Sequence, residues 1–183
     1  MTAPHVNPDF VKTLSLSVII PCFNEKAWIE AIVERVQHVG LADEILIVDD
    51  GSVDGTRDIL RAMEAKNLPK VRILYHEHNQ GKGAAVVTGF RAATCDVLLI
   101  QDADLEYDPR EYPSLLQPIQ ENISPVVYGS RFLGGPRKAM NFWNMVANKT
   151  LTLATNILYN AILSDMETCY KVFRREVVQK MHI

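Results

Sequence analysis

The chain has 183 residues, 48% of them hydrophobic and 22% charged, with 19 Lys and Arg against 22 Asp and Glu. That length suits one domain with its own core, and that composition excludes a disordered chain. A net charge of −3 lacks the broad basic field of a general nucleic-acid binder, so no nucleic-acid partner is expected, while a local anion pocket remains compatible with it.

Residues 1–14 read as an N-terminal tail and 15–183 as a single domain. The tail carries Asp9 and lacks the basic head and apolar run of a signal peptide. No run of about 18 apolar residues occurs, so no membrane span is expected. Cys22, Cys95 and Cys169 form no CxxC pair, which fits a reducing compartment and argues against a disulfide framework or zinc ribbon. A cytoplasmic location follows as an expectation, and the sequons at Asn122 and Asn148 are then inert.

Taken in chain order, residues 16–20 and 44–48 are short apolar runs that predict strands covered on both faces, as in a mainly parallel sheet. Between them Ile29, Ile32, Val33, Val36 and Val39 recur at helical spacing, with Gly40 as the stop. Asp54 is the expected cap of a second helix marked by Ile59, Leu60 and Met63. Residues 71–76 predict a further strand, and Ala85, Val86, Gly89, Phe90 and Ala93 a third helix. Val97–Ile100 predicts a strand; Asp108-Pro109-Arg110-Glu111 then opens a fourth helix, which Pro118 should kink or end. Val126–Tyr128 is the last predicted strand. Beyond Gly134-Gly135-Pro136, residues 140–163 form a long helical stretch. Its apolar stripe (Trp143, Val146, Leu151, Ile157, Leu158) is expected to pack on the sheet rather than meet lipid, and its other side carries Asn148, Thr152 and Asn156. The alternation predicts a layered α/β domain.

In open α/β sheets, ligands bind beyond the carboxyl ends of the strands. Five predicted strands are followed by Pro21-Cys22-Phe23-Asn24-Glu25, Asp49-Asp50-Gly51-Ser52, Asn79-Gln80-Gly81-Lys82-Gly83, Asp102-Ala103-Asp104-Leu105-Glu106 and Gly129-Ser130-Arg131. Nothing in folding requires charge at every strand end, so their joint occurrence points to a site. Asp102 and Asp104, two apart in extended backbone, point the same way, and Glu106 continues the series. Such hard oxygen ligands suit Mg²⁺ or Mn²⁺ that keeps positions open for substrate phosphates. Lys82 lies between two glycines at a helix start, a place that attracts anions, and Arg131 has the fork suited to phosphate. One of Asp49 and Asp50 is expected to accept hydrogen bonds from a base or ribose, the other to support the Gly51 turn. His76 and His78 read as structural. GxxxxGK[ST], GxGxxG and GxSxG are all absent, which disfavours a P-loop NTPase, a dinucleotide dehydrogenase and a serine hydrolase.

Together SVIIPCFNE, IVDDGSVDGT, NQGKGAA, DADLEYDP and YGSR resemble the family 2 glycosyltransferases of the GT-A fold, over about residues 15–178. GSRFLGG and DMETCYKVFRREV resemble the branch containing dolichyl-phosphate mannose synthase and bacterial polyprenyl-phosphate glycosyltransferases. The resemblance implies a Rossmann-like, mainly parallel sheet in three layers. It implies a metal-dependent, inverting transfer from GDP-mannose or a UDP-sugar to a polyprenyl or dolichyl phosphate, with peripheral membrane contact. It implies that Pro21, Phe23, Glu25 and Asp50 line the nucleoside pocket, with Lys82, Asp102 and Ala103 also on the donor. Asp102, Asp104 and Glu106 would hold the metal; Asp104, Arg131, Asp165 and Glu167 are the expected catalytic residues; Arg137 and Lys138 fall in an acceptor loop. Relatives often have Gln at the position of Glu106 and Ser-Gly at Thr168-Cys169, and they usually continue past Ile183, so a C-terminal portion with any anchor is expected outside this chain. A saccharide hydroxyl as acceptor, a nucleotidyltransferase, and a non-catalytic nucleotide-sugar sensor are the alternatives.

Overall fold

A computed structural model describes residues 12–130 and 142–181. Its centre is a six-stranded sheet in the order β3-β2-β1-β4-β6-β5. The strands are β1 (Leu16–Cys22), β2 (Glu44–Asp49), β3 (Val71–Tyr75), β4 (Val97–Ile100), β5 (Val126–Tyr128) and β6 (Lys171–Arg174). β1 pairs in parallel with β2 and β4, and β2 with β3, while β6 runs antiparallel to both β4 and β5. Every residue of β1, β2 and β4 is buried, which is why those strands read as unbroken apolar runs.

Helices cover both faces, giving the expected three layers. One face of the sheet (Val18, Ile20, Ile45, Ile47, Leu99) packs on α1 (Ile29–Val39), α2 (Thr56–Ala65) and α4 (Tyr112–Gln120). The other (Ile19, Leu46, Leu98) packs on α3 (Lys82–Ala92) and α6 (Arg175–Lys180). α1 buries Ile29, Ile32, Val33 and Val36 and stops at Gly40, whose φ of 72° is costly for residues with a Cβ. Gly55 rather than Asp54 takes the cap position of α2; Asp54 stands one residue before it, with Oδ1 accepting the Thr56 N–H at 3.0 Å.

Three further expectations need correction. Pro118 does not stop α4 on the spot; the helix runs on two residues to Gln120. Its ring removes one backbone donor, while its carbonyl, among the last of the helix, accepts the N–H groups of Ile123 and Ser124 at 2.9 and 3.2 Å. β6 was not foreseen, because four residues with Lys and Arg at the ends bury only Val172 and Phe173, too short an alternation to register. Finally, α5 (Phe142–Tyr159) faces the opposite way from expectation. Asn148 and Thr152 are buried, while Trp143, Leu153, Ile157 and Leu158 are 60–77% exposed. The polar side is turned inward by a hydrogen-bond ladder to the loop that follows. Asn148 Nδ2 donates to Asp165 Oδ1 at 3.2 Å and the Met166 N–H to Thr152 Oγ1 at 3.2 Å. Asn156 exchanges two bonds with the Leu163 backbone, each 2.8 Å. Among the described residues no helix is long and apolar enough to cross a membrane.

Candidate active site

The carboxyl ends of β1, β2 and β4 and the start of α3 meet at a cleft of about 250 Å³, lined by Pro21, Cys22, Phe23, Glu25, Asp50, Asn79, Lys82, Ala85, Asp102, Ala103 and Asp104. Eight expected site residues therefore share one wall system: Pro21, Phe23, Glu25, Asp50, Lys82, Asp102, Ala103 and Asp104.

The first two loops clasp each other. The Asn24 N–H donates to Ser52 Oγ and the Val53 N–H to Asn24 Oδ1, both at 2.9 Å. Asn24 sits at φ 58°, a left-handed conformation that Asn tolerates. Phe23 is left 42% exposed at the cleft rim, an uncovered ring that can meet a flat ligand. Cys22 beneath it is inert as a nucleophile, since burial, then Asp49, pushes its thiol up to about 12.

Asp49 is fully buried and takes Arg57 Nε at 2.7 Å and the Ser52 N–H at 3.3 Å. It is the turn-supporting member of the pair. Asp50 reaches the cleft side, where it accepts from His76, Gln80 and Gly81. Burial works to raise its pKa, but the Gln80 N–H, His76 and the Gly81 N–H overcome that and hold the carboxyl below its usual range. Gly51 is obligatory between these loops, because at φ 78° a Cβ there would meet Asn79 N and His78 C at 2.6 Å.

Gln101 directly follows β4 as a buried brace. Its Oε1 accepts from Tyr112 and Tyr170 hydroxyls at 2.8 and 3.0 Å, and its Nε2 donates to the Asp102 carbonyl at 3.0 Å. The backbone of the acidic loop is thereby anchored to the core. Asp104 is exposed, and its Oδ1 accepts the Glu106 N–H at 3.0 Å around a left-handed Leu105 (φ 61°). Lys82 Nζ lies 2.5 Å from Asp102 Oδ1. Burial acts against the Lys82 charge, but the Asp102 hydrogen bond and field outweigh it, so Lys82 stays protonated above its ordinary range. Glu25 shows the opposite: burial, then Asp104 and Asp102, raise its pKa. Negative charge is thus crowded beyond what one lysine offsets, a setting that suits a hard divalent cation.

Glu106 is not brought into this group; it is exposed and does not line the cleft. Among the described residues no three His, Cys, Asp or Glu side chains stand ready to enclose an ion. The donor set that fits is Asp102 and Asp104, leaving coordination positions for ligand phosphates and water. Asp165 is buried on Asn148 and Glu167 is exposed, and neither lines the cleft. Arg131, Arg137 and Lys138 lie outside the described residues. Lys171, unforeseen from the sequence, sits with Nζ 5.4 Å from the Tyr128 ring centre and 2.5 Å from the Thr168 carbonyl. Burial, with Lys82 adding repulsion, lowers its pKa, and the fields of Cys169, Asp102 and Asp165 act the other way.

The cleft lies at the carboxyl edge of a mainly parallel sheet, where open α/β sheets bind ligands, and gathers paired acids, a lysine and an exposed aromatic ring. The glycosyl transferase family 2 model matches residues 17–181, and the chain belongs to that family. It is 31% identical over 175 residues to a dolichol-phosphate mannosyltransferase of Pyrococcus furiosus, covering 93% of this chain and 49% of that protein. It is 31% identical over 170 residues to a polyprenol monophosphomannose synthase of Mycolicibacterium smegmatis, covering 91% and 64%. The chain therefore spans about half to two thirds of the length of these relatives. Among solved structures, it resembles the UDP complex of glucosyl-3-phosphoglycerate synthase from Mycobacterium tuberculosis (TM-score 0.69, 23% identity, 92% of this chain and 60% of that one). It also resembles a mannosyltransferase from Pyrobaculum calidifontis in complex with GDP-Man and Mn²⁺ (TM-score 0.67, 21% identity, 98% and 50%). These likenesses bear out the GT-A fold.

Proposed function

We propose that this chain is the donor-binding domain of an inverting glycosyltransferase that moves a sugar from a nucleotide-sugar, GDP-mannose or a UDP-sugar, to a polyprenyl or dolichyl phosphate. The observation that carries the reading is the meeting of Asp102, Asp104 and Lys82 with Phe23 and Asp50 in one cleft. The acids and lysine suit a diphosphate; the ring and Asp50 suit a nucleoside.

Asp102 and Asp104 would hold Mg²⁺ or Mn²⁺. When bound, the ion supplies positive charge to the departing diphosphate. Lys82 brings a second positive charge to the same place. The bond from the anomeric carbon to the diphosphate oxygen breaks as the acceptor oxygen attacks the opposite face. The electron pair leaves with the nucleoside diphosphate. A phosphate acceptor is already anionic and needs no general base. A hydroxyl acceptor would need one, and neither Asp165 nor Glu167 lines the cleft. The lipid-phosphate reading is favoured on that ground, and the outward apolar face of α5 offers such an acceptor a surface at the membrane, on the cytoplasmic side.

The test is product analysis with GDP-mannose and UDP-sugars, Mn²⁺ and a polyprenyl phosphate. Free nucleoside diphosphate with a glycosylated lipid is expected. Pyrophosphate release would mean a nucleotidyltransferase, and tight donor binding without turnover a sensor; either would overturn the reading.

A further inference from the structure

Asp50 is 2% exposed, yet it borders the cleft. An ionised carboxylate offers about four acceptor directions. Three are taken: Oδ1 receives His76 Nδ1 at 2.7 Å and the Gln80 N–H at 3.0 Å, and Oδ2 receives the Gly81 N–H at 2.8 Å. One direction, on Oδ2, is left for a ligand. The imidazole that makes the side-chain bond is itself held, with Nε2 2.9 Å from Thr88 Oγ1 on α3. Beside an anionic Asp50 the ring donates from Nδ1, and it cannot flip without losing the bonds to both Asp50 and Thr88. His76 follows β3, Asp50 follows β2 and Thr88 lies on α3, so this one ring ties together three elements that shape the donor cleft.

We propose that His76, anchored by Thr88, is a positioning residue for the donor nucleoside: it fixes the Asp50 carboxylate so that Oδ2 presents a single acceptor to an N–H or O–H of the nucleoside. This rests on the glycosyl-transfer reading above.

Two substitutions separate positioning from mere packing. His76→Asn places an amide N–H near the Nδ1 position and keeps the Asp50 bond. His76→Gln reaches toward Thr88 and gives up the Asp50 bond. The measurements are the Kd of UDP and of GDP by calorimetry with Mn²⁺, KM and kcat for the corresponding nucleotide-sugar, and the melting temperature of each variant. His76→Gln is expected to raise the nucleotide Kd and donor KM about tenfold, with kcat at saturating donor within about twofold. His76→Asn is expected to stay within about threefold of wild type, and Thr88→Val to fall between them. Equal behaviour of the Asn and Gln variants at equal stability would overturn the proposal, as would an unchanged Kd in folded His76→Gln. A wild-type chain that binds neither UDP nor GDP would sink the glycosyl-transfer reading first and this inference with it.

Discussion

At the scale of single residues, the cleft holds its acids in three different states. Asp104 is exposed and costs the fold little, so Asp104→Asn should leave stability within about 0.5 kcal/mol while sugar transfer falls by about 100-fold or more. Near-normal turnover in that variant would contradict its role. Lys82 occupies the Asp102 carboxylate, so Lys82→Met should tighten Mn²⁺ binding in the absence of nucleotide by about two- to fivefold and weaken nucleotide binding. Titration of Mn²⁺ by electron paramagnetic resonance reads the first effect directly. Asp50 is held below its usual range, so its ionised form contributes stability that is complete above the unfolded value of ~3.9 and is lost as pH falls through the lower folded value. The stability difference between wild type and Asp50→Asn, measured by urea unfolding, should therefore be constant near neutrality and shrink as pH drops below about 4. Most of these residues were legible in the sequence because a charged group directly after a buried strand has no folding reason to be there. What was not legible is who braces them. Gln101, Arg57, His76 and Thr88 act across 8 to 69 positions of sequence, as in the Tyr170–Gln101 bond, and no local pattern signals such a pairing.

At the scale of elements, α3 is set closer to the sheet than a side chain would allow. A Cβ on Gly89 would stand 2.4 Å from Ile19 Cγ2. Gly89→Ala should force α3 off β1 and cost roughly 1–3 kcal/mol, measured by urea unfolding, in spite of the better helix propensity of Ala. Since α3 also carries Lys82 and Thr88, donor affinity should fall with it. The buried parallel strands announced themselves through unbroken apolar runs. β6 did not, because its pairing partners β4 and β5 supply the reason for a four-residue strand that composition alone does not. α5 shows a different failure: periodicity locates the helix, but hydrophobicity misassigns its inward face when a polar ladder such as Asn148–Asp165 and Asn156–Leu163 decides the orientation.

At the scale of the whole molecule, the sheet edge and α5 serve different needs. The cleft is suited to a polar donor; the outward row of Leu153, Ile157 and Leu158 is suited to an apolar environment that the described residues do not themselves provide. The chain should therefore float with phospholipid vesicles, and Ile157→Glu with Leu158→Glu should abolish flotation while leaving nucleotide binding intact. Equal flotation of wild type and the double variant would rule out α5 as the contact. The central claim, a cation shared between Asp102, Asp104 and the donor diphosphate, is tested most directly by calorimetric titration of UDP and GDP with and without Mn²⁺. In the wild-type chain Mn²⁺ should tighten one of the two at least about tenfold, and in the Asp102→Asn, Asp104→Asn double variant that dependence should vanish with the melting temperature preserved. A nucleotide affinity indifferent to Mn²⁺, or equally enhanced by it in the double variant, would contradict the claim.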